Sequence, residues 1–128
     1  MTDKVILNLT QHKATAEQLE AGVEEPIPVN KQEIQKLLTF ESIPTKEVIE
    51  ERARQLSFIA KGYLRSKDAY TVMIGGAPFL MAALEKALRA ENLDPVYAFS
   101  KRESTEVDDG TGGVRKVAIF RHLGFVTK

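Results

Sequence analysis

The sequence predicts an α/β domain built on a mostly parallel sheet flanked by helices, with an antiparallel β-hairpin added at the C-terminal end. Three observations carry this. Short β-prone runs (residues 4–9, 70–74 and 95–99) alternate with longer segments whose apolar residues recur at helical spacing. The central run empties through Gly75 and Gly76 into Pro78 and an amphipathic segment, which reads as a strand, a tight turn and a helix. A glycine- and aspartate-rich link, residues 108–113, joins two β-prone runs and marks a hairpin.

Residues 4–9, KVILNL, are short, apolar and bounded by polar residues, as expected of a strand buried on both faces. Thr10, Gln11 and His12 follow at once, so three hydrogen-bonding side chains stand where that strand ends. Thr15 with Gln18 has capping-box spacing for a short helix that Gly22 stops. Pro26 and Pro28 mark a loop, after which Asn30 with Glu33 repeats the capping spacing. Ile34, Leu37 and Leu38 give that second helix one apolar stripe. Residues 39–44, TFESIP, have room for a very short strand at most. Thr45 predicts an N-cap, and Val48, Ile49, Ala53, Leu56, Ile59, Ala60, Tyr63 and Leu64 keep helical spacing to about residue 64. Acidic residues at its start (Glu47, Glu50, Glu51) and basic ones at its end (Lys61, Arg65, Lys67) complement the helix dipole. Arg52, Arg54 and the glutamates read as a solvated face.

After the central strand, Gly75 and Gly76 are free to take positive φ and to leave backbone amides open, while Pro78 suits a first helical position. Such a turn aims free amides and the positive end of a helix dipole at one point, which suits an anion or a polar ligand edge. Glycines at a strand-to-helix junction also serve packing alone, and neither GxGxxG nor GxxxxGK[ST] is present. Residues 95–99, PVYAF, form a further short strand that empties into Ser100, Lys101, Arg102 and Glu103. The hairpin follows, and the closing RHLGFV reads as a last extended piece along the sheet edge.

At 128 residues the chain fits one domain over residues 1–128, long enough to bury a core without disulfide or metal. Apolar residues make up 43% and charged residues 28%, the balance of an ordinary globular domain. Lys plus Arg (18) equals Asp plus Glu (18), which removes any whole-chain case for a duplex-DNA binder or a polybasic membrane protein. Without cysteine there is no thiolate nucleophile or metal site. With two histidines, His12 and His122, a zinc site would need carboxylates to complete it, so neither metal nor cofactor is expected. No apolar run approaches membrane-spanning length and no signal-peptide pattern opens the chain, so a cytoplasmic location is expected.

In open sheets of this kind ligands bind beyond the carboxyl ends of the strands. Three clusters fall there: Thr10-Gln11-His12, Gly75-Gly76-Ala77 and Ser100-Lys101-Arg102. Their convergence is the main functional expectation. Histidine changes charge near neutrality, so His12 suits proton transfer or a hydrogen bond to a ligand, or else capping of the next helix. Lys101 and Arg102 suit phosphate, as a point charge and a planar fork, or else form a surface pair balanced by Glu103. Arg121 and His122 fall on opposite faces of a strand, so at most one of them meets the site. No Ser-His-Asp set or paired catalytic carboxylates can be assembled.

The opening ILNLTQHKAT, the central GGAPFL, then PVYAFSKRES, a DG-containing loop and the closing FRHLGFV resemble the small standalone CARF-like CRISPR-associated proteins. That group includes ring nucleases acting on cyclic oligoadenylates, and the similarity covers nearly the whole chain in order and spacing. The resemblance implies a Rossmann-like domain that forms a homodimer, with a cyclic RNA ring lying across the two-fold axis over the strand ends. It implies ligand-binding roles for Thr10, Gln11, Gly75, Gly76, Ala77 and Ser100. Metal-independent cleavage would proceed by in-line attack of a ribose 2′-hydroxyl, with Lys101 or Arg102 stabilising developing charge and His12 moving or positioning a proton. At one position the chain departs from the group: Ala77 stands where relatives can carry a polar or acidic residue. The alternatives are a non-catalytic α/β regulatory or interaction protein, or a binder of another small nucleotide or phosphate ligand.

Overall fold

A computed structural model describes residues 4–127. Five strands and four helices follow in the order β1 (Ile6–Leu9), α1 (Ala16–Glu20), β2 (Val23–Glu24), α2 (Pro28–Leu38), α3 (Lys46–Arg65), β3 (Thr71–Ile74), α4 (Pro78–Ala90), β4 (Asp94–Asp108) and β5 (Val114–Thr127). The strands form one sheet in the order β2-β1-β3-β4-β5. The three ladders joining β2, β1, β3 and β4 are parallel, and β4 pairs with β5 antiparallel. The mixed α/β architecture and the C-terminal antiparallel pair are therefore as the sequence predicts.

Strand alternation divides the apolar residues between two cores. Leu7 and Leu9 of β1 and Val72 and Ile74 of β3 join Ile34, Leu38, Leu56, Leu64, Leu80, Leu84 and Leu88 of α2, α3 and α4 in the main cluster. Ile6 and Met73 join Ala14, Val23 and Val96 in a smaller cluster, with Phe125 packed against it. Both faces of β1 and β3 are covered, which is why those strands read as continuous apolar runs.

The expected caps at Thr15 and Thr45 form. Thr15 and Gln18 make the reciprocal capping box of α1, and the Thr45 hydroxyl accepts from the Val48 amide. The second helix departs from expectation: α2 begins at Pro28 with Ile27 at its N-cap, so Asn30 and Glu33 lie inside it and cap nothing. Proline is well placed at a first helical position, and it outweighs the capping spacing further on. β2 is only two residues long, and residues 39–44 form no strand.

β4 shows the largest difference. It does not stop at Phe99 but continues through Ser100, Lys101 and Arg102 to Asp108. Its backbone groups find partners all along β5, from Val96 opposite Thr127 to Asp108 opposite Val114. The register shifts by one at Phe99/Ser100, where Gly124 and then His122 stand opposite and Leu123 is the extra residue. Gly124 takes φ +152° beside that bulge. Among the described residues no helix is long and apolar enough to cross a membrane.

Candidate functional site

The order β2-β1-β3 makes the chain leave β1 toward one side and β3 toward the other, so a crevice opens between the loops that follow these strands. Thr10, Gln11 and His12 after β1 and Gly75 and Gly76 after β3 line one cavity of about 350 Å³ there. Lys13, Thr15, Gln18, Tyr97 and Ala98 complete its wall. The Thr10-Gln11-His12 cluster and the two glycines of the second cluster thus come together at one rim of the sheet, while Ala77 faces the neighbouring hollow. The third does not line this cavity: Ser100, Lys101 and Arg102 lie farther along β4, opposite His122, Arg121 and Phe120 of β5.

The loop after β1 is fixed from beneath by Asn8, which is 1% exposed. Its Nδ2 donates to the His12 carbonyl (2.8 Å) and to the Glu25 carboxylate (2.9 and 3.2 Å), while its Oδ1 accepts from the Thr10 amide (3.0 Å) and hydroxyl (2.7 Å). Glu25 also accepts from the Ala14 amide at 2.7 Å. A buried amide satisfied on both ends is held in one orientation, and it holds the loop backbone with it. The sheet thereby presents the exposed His12 and Lys13 side chains on a fixed support.

On the β3 side, Gly76 takes φ +147°, a backbone conformation that favours glycine. Gly75 approaches the β1 loop: a Cβ there would lie 3.6 Å from Thr10 Cγ2. Ala77 is the N-cap of α4 and supplies no side-chain acceptor, with Pro78 following at the first helical position, so the first turn begins without a side-chain cap. That end of α4 offers the positive side of its dipole.

Gln11 divides this crevice from a second, larger hollow of about 840 Å³, lined mainly by Leu38, Phe40, Ile43, Pro44, Ala77 and Phe79. Its Nε2 donates to Thr39 Oγ1 at 2.9 Å across the divide. Phe40 and Phe79 meet edge to face at 4.9 Å, and Ile43 is 96% exposed at the mouth. The sequence model of the uncharacterized protein MJ1673 family matches residues 4–126 of this chain. The chain belongs to the MJ1673 family. No curated protein and no solved structure matches it.

In this MJ1673-family chain the two basic pairs stand apart from the crevice. Arg121 and His122 fall on opposite faces of β5, as alternation requires. Arg121 pairs with Glu103 at 3.6 Å, while the His122 ring packs against Phe125 at 4.8 Å, and neither of its nitrogens finds a hydrogen-bond partner. Arg52, expected on a solvated face, instead folds over the end of α2, where it donates to the carbonyls of Lys36, Leu37 and Thr39 and lies 4.3 Å from the Phe40 ring centre. Among the described residues no group of three or more His, Asp or Glu side chains is placed to hold a metal ion.

The residues that sequence reasoning missed are Asn8, Glu25, Lys13 and Tyr97. Lys13 directly follows the Thr-Gln-His triplet, and its position was the available signal. Asn8, a polar residue inside an otherwise aliphatic strand, carried a signal too. A side chain of that kind in a buried run must be hydrogen-bonded to something.

Proposed function

We propose that this MJ1673-family protein binds a small nucleotide or phosphate ligand in the crevice after β1 and β3, with a cyclic oligoadenylate as the first candidate. The observation that carries the reading is the meeting of the Thr10-Gln11-His12 loop and the Gly75-Gly76 turn on one cavity. A fixed polar loop, the Gly75-Gly76 turn and the cation Lys13, with His12 beside it as a hydrogen-bonding group, suit phosphate oxygens. The cavity of about 350 Å³ matches the small end of ligand pockets, roughly 300–1,000 Å³, and so takes one nucleotide unit. A ring would extend from it along the rim, over Gln11 toward the apolar hollow beside Phe79. A Rossmann-like relationship and a homodimer belong to the same reading, since the resemblance to CARF-like proteins carries both, and a cytoplasmic location is proposed with them.

The geometry favours holding the ligand over cutting it. Lys101 and Arg102, the side chains the resemblance gives to charge stabilisation, lie on the long strand away from the cavity wall. Cleavage would fall to His12 and Lys13 alone.

Calorimetric titration with cyclic tetra- and hexa-adenylate, followed by chromatography of the incubated ring, tests both parts. Saturable binding that weakens by about tenfold or more in Lys13→Glu is the expected result, because one phosphate contact becomes a repulsion. Absence of binding with every ring size and with mononucleotides overturns the proposal. The second reading, a non-catalytic interaction protein, is favoured by the same displacement of Lys101 and Arg102 from the crevice. It gains weight if the crevice binds nothing.

A further inference from the structure

β4 continues well past the sheet it helps to build. It pairs with β3 only at Asp94, Pro95 and Val96, whereas its pairing with β5 runs on to Asp108. From Ser100 outward the hairpin is a two-stranded arm, and among the described residues no strand lies along the other edge of β4. Two strands alone are marginal in water, and an open edge is a template for a further strand. The arm also leaves Phe99, Val114 and Phe120 more than half exposed.

We infer that this edge docks a second copy of the chain, β4 against β4 in antiparallel pairing about a two-fold axis at Ser104. A two-fold axis perpendicular to a sheet sets one residue opposite its own copy, so the identity of that residue fixes the register. Lys101, Arg102, Glu103, Glu106 and Asp108 are excluded from the axis because each would face a like charge. An axis at Ser100 would run the partner's strand onto residues 94–96, which β3 already holds, and one at Val107 leaves only residues 106–108 paired. Ser104 and Thr105 remain.

With Ser104 on the axis, residues 100–108 overlap themselves completely, and Arg102 meets the partner's Glu106 on both sides of the axis. Lys101 then faces the partner's Val107, Glu103 the partner's Thr105 and Ser100 the partner's Asp108, so no like charges are opposed. An axis at Thr105 also gives Arg102 an acidic partner, the partner's Asp108, but it shortens the overlap to residues 102–108 and leaves Glu106 against the partner's Ser104, without a cation. Within one chain Glu103 is already paired with Arg121, whereas Arg102 and Glu106 make no ion pair among the described residues. The second copy completes those two charges. The inference rests on the pairing and charge order of the arm and is independent of any ligand in the crevice.

Sedimentation of the full chain over a concentration series, with gel analysis of oxidised single-cysteine variants, tests it. The chain has no cysteine, so Ser104→Cys sets its sole thiol about 5 Å from its copy, close enough for a disulfide after slight adjustment. The expected results are a concentration-dependent dimer and a covalent dimer from Ser104→Cys but not from Thr105→Cys. Arg102→Glu should weaken the dimer by about tenfold or more, and adding Glu106→Arg to it should restore it. A monomer at every concentration overturns the inference and leaves the edge to a strand of another protein. Cross-linking at Thr105 in place of Ser104, or a dimer indifferent to Arg102→Glu, overturns it equally.

Discussion

At Gly22 a single hydrogen atom is all the backbone allows. Its φ is +109°, and a Cβ there would sit 2.2 Å from the Lys4 carbonyl oxygen, inside any permitted contact. Gly76 has a similar dihedral restriction, φ +147°, but its nearest neighbour would be the flexible Met81 Cε at 3.5 Å. The two glycines therefore respond differently to alanine. Gly22→Ala is expected to cost about 2–4 kcal/mol, against about 1–2 kcal/mol for Gly76→Ala, in urea unfolding midpoints converted with a common slope. Equal losses would show that dihedral strain alone decides both. Sequence reasoning placed Gly22 at the end of α1 correctly, because a helix stop is a local property. It missed Asn8 because the carboxylate that completes its hydrogen bonding, Glu25, is brought beside it only by the pairing of β2 with β1, which no local pattern shows.

Among the elements, legibility follows periodicity. α3 and α4 were readable because their buried leucines recur at helical spacing, and β1 and β3 because an aliphatic run covered on both faces has no polar side to confuse it. β2 offered two residues and no period. The outer half of β4 has no face in either core; Thr105 and Val107 read as the start of the hairpin, but the polar stretch SKRE before them reads as a break between two strands, while its backbone is fully extended and makes them one. Arg52 differs for another reason: its charge and its place on the helix read as a solvated face, yet it closes the open carbonyl end of α2 from the neighbouring helix. Removing it in Arg52→Ala should cost about 1–3 kcal/mol in chemical denaturation. Arg52→Lys should recover only part, since all three carbonyls are reached from the one nitrogen Nη1, which an ammonium can imitate, whereas the planar stacking on Phe40 is lost. Full recovery by lysine would reduce the role of Arg52 to charge.

Across the whole molecule, two tyrosines tie the sheet to the helices. Tyr63 on α3 donates to Glu24 on β2 at 2.7 Å, and Tyr97 on β4 donates to Glu85 on α4 at 2.6 Å. Burial first, and then the adjoining carboxylate, push the Tyr63 phenol up to about 12, and the same causes raise Tyr97 further. A folded-state value above the unfolded one, near 10, means that the native protein keeps its phenol protons after the unfolded chain has lost them. The stability this provides is complete below about pH 10 and is lost as pH rises through about 12. Melting temperatures followed from pH 9 to pH 12 should fall across that window, and Tyr63→Phe should start lower at neutral pH but fall less steeply. Parallel curves for the two proteins would show that Tyr63 does not carry the effect. Acid has less to act on, since the Glu51 carboxyl, held near 2 by Arg54, belongs to a fully exposed pair whose screening leaves little stability to lose.

The register shift at Phe99 has an engineering consequence. Because Phe99 and Gly124 stand directly opposite one another, the polypeptide departs from the sheet and returns to it at adjoining points. Everything between them is topologically a single excursion, with both ends already held at hairpin spacing. Unrelated peptides grafted between these two positions would impose almost no closure entropy on the body of the protein, which makes this the natural place to splice in a tag, a reporter or an epitope.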